Sequence, residues 1–481
     1  MRQAYSVERV RSAERELMAA LPDGALMARA AAGLAATCTR LLRRTGKLYA
    51  TPVTLLVGTG DNGADTLLAG ARLAHRGAAV RAVLLNPDRT HPTALATFLR
   101  SGGRLSTDPL ADIARAALVL DGITGIGGKG ALRDNAVPLA RAAAASAATT
   151  VAVDVPSGVD ADTGEVAGEA VRADVTVTFG AYKPGLLVDP GRGHAGTVHL
   201  VDIGLDIPGA PDAESPQHAD VAALLPGPTA ESDKYRRGVV GVVAGSRRYP
   251  GAAVLAVAGA LHGGAGAVRY VGSPETSDAV LARFPEVLVG TGRVQSWAVG
   301  PGLGDEPDAR AAVADALASD VPVLLDADGL GLADPAAVRA RTAPTLLTPH
   351  AGEAARLLGV ERSAVEAARL AHARRLAAEF SATVLLKGST TVIASSPAAP
   401  GLAAPVRANP TGTPWLATAG SGDVLSGLTA SLLATGLSAP DAAATGAYLH
   451  GLAGRTASDG APATAMTVAA ELAAAWRSVT G

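Results

Sequence analysis

A single cysteine, Cys38, stands in 481 residues. That excludes a disulfide framework, a cysteine-built zinc site and a CxxC redox pair. Aromatic residues make up only 3% of the chain, and Lys+Arg 42 nearly cancel Asp+Glu 44. The formal net charge of -2 gives no field for gripping nucleic acid or an anionic membrane surface. Long apolar runs are missing too. Ala-rich stretches such as 252–261 are broken by Gly and His, well short of the ~18–20 uninterrupted residues that span a bilayer. The opening MRQAYSVERVRSAEREL is charged and lacks the apolar core of a secretory signal, so a cytoplasmic protein is expected. No Walker A lysine loop occurs, which disfavours a P-loop NTPase. What is plentiful is apolar residue, 48% of the chain, with 56 Gly and 30 Pro. This is the composition of a packed globular protein, and the length suggests about two to four domains.

Composition shifts over 204–231, GLDIPGAPDAESPQHADVAALLPGPTAE, which is rich in Pro, Gly and Asp and lacks a sustained apolar period. It reads as a linker. The chain then divides into a domain over 1–205, a linker over 206–231 and a domain over 232–481. Upstream, 5–47 reads as two helices, followed by strand candidates at 53–58, 79–85, 117–120, 149–154, 174–179 and 197–202. Helical segments alternate with them, which predicts a parallel sheet covered on both faces. Downstream the style repeats without repeating the sequence. Strand candidates fall at 238–244, 296–299, 321–326, 344–347, 382–386 and 390–394, with buried helices over 423–436 and 441–455. The expected fold class is α/β, in two domains.

Gly58-Thr59-Gly60-Asp61-Asn62-Gly63 follows the first strand and is expected to open a helix over 64–76. Glycines there let backbone approach a phosphate at a helix N-terminus. The run matches GxGxxG, yet the second strand ends Leu84-Leu85-Asn86-Pro87 without the acid that holds a ribose. A dinucleotide site and a plain tight turn both stay open on this motif alone. Asp121-Gly122-Ile123-Thr124-Gly125-Ile126-Gly127 and Asp154-Val155-Pro156-Ser157-Gly158 also follow strands. Each Asp alone is a cap or turn former. Three acid-and-glycine loops on one sheet edge point to a site, because ligands bind at that edge. Lys183 is the nearest basic candidate for a phosphate, against a solvated surface lysine.

In the second half, Asn409-Pro410-Thr411-Gly412 precedes Ala419-Gly420-Ser421-Gly422-Asp423-Val424-Leu425-Ser426-Gly427. A small-residue loop running into an apolar helix builds an anion hole from backbone N–H groups. Asp423 is then either a favourable charge at the helix start or the general base of phosphoryl transfer, and the context favours the base. Lys387-Gly388-Ser389-Thr390-Thr391 lies between two strands, where amides and lysine could hold a nucleotide. Thr348-Pro349-His350-Ala351-Gly352-Glu353 ends a strand; His350 could be a capping histidine or a site residue. Gly300-Pro301-Gly302-Leu303-Gly304 and Leu325-Asp326-Ala327-Asp328-Gly329 follow strands as well.

The order GTGDNGAD (58–65), DGITGIG (121–127), DVPSGVDADTG (154–164) and ADVTVTFGAYKPGL (173–186) resembles the NAD(P)H-hydrate epimerase domain, over nearly the whole first half. The family's Asn-Asn-Gly-Gly-Asp run is Asp61-Asn62-Gly63-Ala64-Asp65 here. The resemblance implies a Rossmann-like three-layer sandwich with Asp154 catalytic. Substrate would meet Asp61, Asn62, Gly63, Ala64, Asp65 and Asp154, and the loop Gly125, Ile126, Gly127, Gly128, Lys129, Gly130 and Ala131. Asn62, Asp121 and Ser157 would bind K+. The second half, over nearly all of 232–481, resembles the ADP-dependent NAD(P)H-hydrate dehydratases of the ribokinase-like class. The carrying motifs are Lys234-Tyr235-Arg236-Arg237-Gly238, Ala244-Gly245-Ser246 with Pro250-Gly251-Ala252-Ala253, GPGLG, PHAGE, KGSTT and AGSGDVLSG. This implies a second three-layer sandwich that uses Mg2+ and takes ADP as co-substrate. Hydrate would lie against Ala253, Gly302, His350 and Asp423, with Asp423 catalytic. The nucleotide would lie on Lys387, Gly388, Ser389, Thr390, Thr391 and Gly422. Trp415 stands where the family tends to have glycine, a bulky change near the rim. The expected protein is a bifunctional repair enzyme for hydrated NADH and NADPH, a homo-oligomer with small-molecule substrates and neither nucleic acid nor membrane as partner. The rival reading is an ATP-dependent ribokinase-like kinase of a small molecule with a non-catalytic N-terminal binding module.

Overall fold

The structure is a computed structural model that describes residues 1–46, 48–305, 307–397 and 404–481. The chain forms two compact units, Gln3–Asp212 and Met1–Arg2 with Ala213–Gly481.

In the first unit, helices Val7–Ala19 and Ala25–Thr45 precede the first strand. Edge to edge, its sheet runs Arg104–Leu105, Ala79–Leu84, Pro52–Val57, Leu118–Gly122, Thr149–Val153, Val175–Phe179 and Thr197–Val201. Every neighbouring pair is parallel. The central strands Pro52–Val57, Leu118–Gly122 and Thr149–Val153 are buried nearly throughout, as expected where helices cover both faces. Leu55 belongs to the core with Leu67, Leu73 and Phe98, and its neighbour Leu56 to the one with Ile113, Val119 and Leu139. Successive side chains leave a strand on opposite faces, so the two cores lie on the two sides of the sheet. The chain reverses its direction of winding between Pro52–Val57 and Leu118–Gly122, whose backbones pair Leu55 with Leu120. A crevice opens at such a switch point, beyond the strands' C-terminal ends.

The second unit repeats this winding. Its strands run Ala213–Ser215, Val406–Ala408, Val392–Ser395, Thr383–Leu386, Thr345–Leu347, Val323–Leu325, Ser296–Val299, Val239–Val243, Ala267–Tyr270 and Leu288–Val289. From Thr383–Leu386 to Leu288–Val289 all pairs are parallel. Val392–Ser395 is antiparallel to both its neighbours, so this sheet is mixed. Helix Ser421–Ala434 lies directly on helix Pro250–His262. The approach depends on two glycines: a Cβ on Gly427 would strike the Ala256 carbonyl, and one on Gly259 the Val424 carbonyl.

The structure departs from the sequence reading in three places. Within the expected linker, Ala213–Ser215 is a strand and His218–Leu224 a helix. Pairing with Val406–Ala408 and a capping box between Gln217 and Asp220 organise them despite the Pro-rich composition. The helix expected over 64–76 begins at Asp61, with Gly60 extended as its N-cap, so Asp61 to Ala64 form its first turn and Asp65 opens the second. Strands Arg104–Leu105, Ala267–Tyr270, Leu288–Val289 and Val406–Ala408 have no counterpart in the sequence reading; each is short and held by pairing rather than local pattern. Among the described residues no helix is long and apolar enough to cross a membrane.

Candidate active sites

The first unit gathers its acid-and-glycine loops at the C-terminal edge of the sheet. A Cβ on Gly58 would strike the Ile123 carbonyl, so glycine lets the first loop lie against the loop after Asp121. Asp121 is fully buried. Its Oδ1 accepts from Ser157 Oγ at 2.6 Å and from the Ile123 N–H at 3.3 Å, and its Oδ2 accepts from the Ser157 N–H at 2.8 Å. Ser157 Oγ in turn accepts from the Thr124 N–H at 2.9 Å. Burial pushes the Asp121 carboxyl up to about 6, against these hydrogen bonds. Asn62 adjoins the same loop: its Oδ1 lies 3.0 Å from where a Cβ on Gly125 would stand. Asn62 thus lies against Gly125, next to Thr124, which Ser157 holds. The loop 125–131 is largely exposed, with Gly127, Lys129, Gly130 and Ala131 open to solvent.

Asp154 follows the next strand with φ 68, a backbone region uncommon for a residue with a side chain. Its Oδ1 accepts from Lys183 Nζ at 2.5 Å and from Thr178 Oγ1 at 3.0 Å. Lys183 is 1% exposed and donates also to Thr178 Oγ1 at 2.9 Å and to the Phe179 carbonyl at 3.0 Å. Neither a solvated lysine nor a free phosphate hook, it is the buried counter-charge of Asp154. Asp65 is also buried, and burial first, then the carboxylates of Asp154, Asp61 and Glu14, push its pKa well above the usual carboxylate range. Glu14, from the first helix, is raised by burial and by Asp154 and Asp61, with Lys183 and Arg11 opposing. Glu14 carries no motif, and only its amphipathic helix could have hinted at its place.

In the second unit the ends of three neighbouring strands supply Asp326, His350 and Lys387. Lys387 Nζ donates to Asp326 Oδ1 at 2.5 Å, and Glu353 Oε2 stands 4.0 Å away. Asp326 Oδ2 accepts from Ser426 Oγ at 2.6 Å, which ties the sheet edge to the GSGD helix. Burial pulls the Lys387 pKa down, but Asp326 and Glu353 outweigh it and hold the group cationic. A Cβ on Gly422 would stand 3.3 Å from Lys387 Nζ, so this cation sits at the helix N-terminus, whose first N–H groups lack intrahelical acceptors. Asp423 is half-buried in the first turn. Burial, then Asp326, push its carboxyl up to about 6, with Lys387 pulling the other way. Asp326 follows a strand in its motif, and sequence alone assigns it no role; the structure makes it the hub.

Other expected residues take more structural positions. His350 is exposed and caps helix Ala351–Leu358, its Nδ1 accepting from the Gly352 and Glu353 N–H groups at 3.0 and 3.1 Å. Ala253 is fully buried, so its methyl offers no surface to a ligand, while Gly251 in the same turn is exposed. Gly302 has φ 63 and packs against Ala252 and Tyr249. Gly388 and Ser389 are exposed and Thr390 buried, with Arg369 lying beneath Gly388. Trp415 is 40% exposed on a short 3-10 turn. His450 was not singled out by sequence. It is buried, its Nε2 lies 3.3 Å from Ser421 Oγ, and burial pulls its pKa down to about 4, so a neutral imidazole braces the GSGD loop.

A family model described as NAD(P)H-hydrate dehydratase matches residues 240–475, and one described as YjeF-related protein N-terminus matches 23–185. The bifunctional NAD(P)H-hydrate repair enzyme Nnr of Mycobacterium leprae is 49% identical over 482 residues, covering 98% of each chain. That of Mycobacterium tuberculosis is 51% identical over 453 residues, covering 92% of each. Among solved structures, an ADP/ATP-dependent NAD(P)H-hydrate dehydratase from Bacillus subtilis, co-crystallised with ATP and Mg2+, is 30% identical. It covers 55% of this chain and 97% of that one, with a TM-score of 0.49.

Proposed function

The chain belongs to the family of bifunctional NAD(P)H-hydrate repair enzymes, and from that premise we propose a division of labour between its two units. The first interconverts the R and S hydrates of NADH and NADPH. The second dehydrates the S form while ADP becomes AMP and phosphate. The observation that carries this reading is Asp423 in the first turn of the GSGD helix, beside the Lys387–Asp326 pair. A base with a pKa near neutrality, a cation and unpaired helix N–H groups together are what phosphoryl transfer to an alcohol requires.

In the second unit Asp423 takes the proton of the C6 hydroxyl, and the oxygen attacks the terminal phosphorus of ADP as AMP leaves. The phosphate on C6 then departs as the ring nitrogen pushes, C5 gives up a proton to solvent, and the C5–C6 double bond of the reduced ring re-forms. Lys387 and the helix N–H groups hold the charge that develops on the phosphoryl oxygens. Residues 387–391 and Gly422 hold the nucleotide, and Gly302 and His350 border the hydrate. Mg2+ commonly binds through one or two carboxylates plus phosphates; Asp328 and Glu353, whose charges act on Asp423, would supply them, and a bound ion would neutralise phosphate charge. In the first unit Asp154 exchanges a proton with the substrate at C6, while residues 61–65 and 125–131 hold it. Asn62, Asp121 and Ser157 fit a monovalent cation: among the described residues the buried Asp121 accepts only from neutral donors, and K+ would supply its counter-charge and order the loops. In this reading the protein works in the cytoplasm as a homo-oligomer.

The test is a mixture of R and S hydrates with and without ADP, following reduced dinucleotide by absorbance and both epimers by chromatography. ADP should be needed for dehydration and not for epimerisation, and replacing K+ by Li+ should slow only epimerisation. Dehydration without any nucleotide, or a stable phosphorylated product, would overturn the assignment of the second unit. The pH profile adds a prediction with a fixed sign. A base raised to about 6 is lost as pH falls through that value, so dehydration should decline about tenfold per pH unit below it. A rate flat from pH 7 to pH 5 would exclude Asp423 as the base.

A further inference from the structure

Moving the C6 hydroxyl from one face of the ring to the other needs an acid where oxygen leaves and a base where it returns. Asp154, held in an ion pair with Lys183, is a carboxylate and supplies only one of these. We propose, resting on the epimerase reading of this unit, that Asp65 supplies the other and is a second catalytic acid/base. Its side chain is 9% exposed, and its Oδ1 has no hydrogen-bond partner among the described residues. It rises from the helix after Pro52–Val57, whereas Asp154 follows Thr149–Val153, and strand Leu118–Gly122 lies between these two. The two residues thus stand on either side of that strand's end, near enough for the Asp154 charge to act on Asp65.

Charge crowding fixes which of them carries the proton. Glu14, Asp61, Asp65 and Asp154 act on one another here, against the cations Lys183 and Arg11. Lys183 is committed to Asp154. Asp65 is the member whose pKa burial, then Asp154, Asp61 and Glu14, push furthest up, which favours its protonated form. Two acids whose surroundings separate their protonation states are the usual signature of an acid and base pair.

The step balances as follows. From the R hydrate, Asp65 gives its proton to the C6 hydroxyl; the C6–O bond breaks, water leaves, and the N1 lone pair forms the N1–C6 double bond. A water then adds to the other face of C6, and its proton passes to Asp154. The S hydrate results, with Asp154 neutral and Asp65 ionised. Solvent exchange, or the reverse reaction, restores the starting state. The negative cluster steadies the transient cation.

The experiment measures epimerisation of the purified R hydrate, without ADP, by the full-length protein and its Asp65→Asn variant. The variant should be slower by at least ~100-fold with its dehydratase rate retained. In the unaltered protein the R to S rate should fall as pH rises, because Asp65 must be protonated, and in the variant's residual rate this alkaline limb should be gone. A merely structural role would leave the limb in place. A variant within tenfold of the parent overturns the proposal. An unaltered protein with no alkaline limb overturns it as well, and needs no folded variant to show it. A parent that leaves the R hydrate unchanged instead overturns the epimerase reading on which the proposal rests, so the two failures are told apart.

Discussion

The Asp423→Asn variant is expected to dehydrate the S hydrate at least ~100-fold more slowly than the parent, within the ~10²–10⁴-fold that general-base assistance is worth. Asparagine keeps the size of the side chain and its place in the first turn of Ser421–Ala434. What it loses is the ability to take the hydroxyl proton. Removing one carboxylate from the group that includes Asp326, Asp328 and Glu353 also relieves repulsion there, so ADP should bind as well as before or better. The loss should fall on kcat, with little change in KM, because the proton is transferred only in the reacting complex. Epimerisation belongs to the other unit and should hold its former rate. Both activities and ADP binding are measured on one preparation. A variant keeping most of its dehydratase rate would reduce Asp423 to a helix cap; one that fails to bind ADP would make it structural.

The legible part of this protein lies where local pattern and tertiary structure agree. Strands 52–57, 149–153 and 239–243 are apolar runs ending in glycine or acid-and-glycine loops, and the sequence limits fall within a residue of the observed ones. These loops gather at one edge because parallel strands all end there. Other features had no local signal. Ala267–Tyr270 carries an arginine mid-strand and Leu288–Val289 is two residues long, so sheet pairing decides both. Asp326 could be found as an acid after a strand, but its bonds to Lys387 and Ser426 cross 61 and 100 residues. Lys183 was ambiguous for the same reason: nothing around Tyr182-Lys183-Pro184 says that the ammonium meets an aspartate 29 residues earlier. Ala253 shows the opposite failure. A motif position brought it into the site, and packing beneath Gly245 takes its methyl out of reach.

The Asp154→Asn variant should lose epimerisation while the S hydrate continues to be dehydrated, so that with mixed hydrates and ADP the R form lingers. Its second expected effect comes from Lys183. That ammonium is 1% exposed and the Asp154 side chain 10%, so the amide leaves a charge in the interior with only neutral acceptors, its own Oδ1, the Thr178 hydroxyl and the Phe179 carbonyl. Removing one partner of a buried pair commonly destabilises by ~3–5 kcal/mol, most of it from the charge left behind. The Asp154→Asn variant should therefore unfold at lower temperature or denaturant than the parent. Adding Lys183→Met removes the orphaned charge and fills its space with an apolar chain, which should recover much of that stability. Epimerisation should not recover, because methionine restores packing and no proton acceptor. The double variant thus separates Asp154 as a reacting group from Asp154 as a counter-ion. If it regains activity together with stability, Asp154 only holds Lys183, and the proton transfer must be sought elsewhere in the crevice.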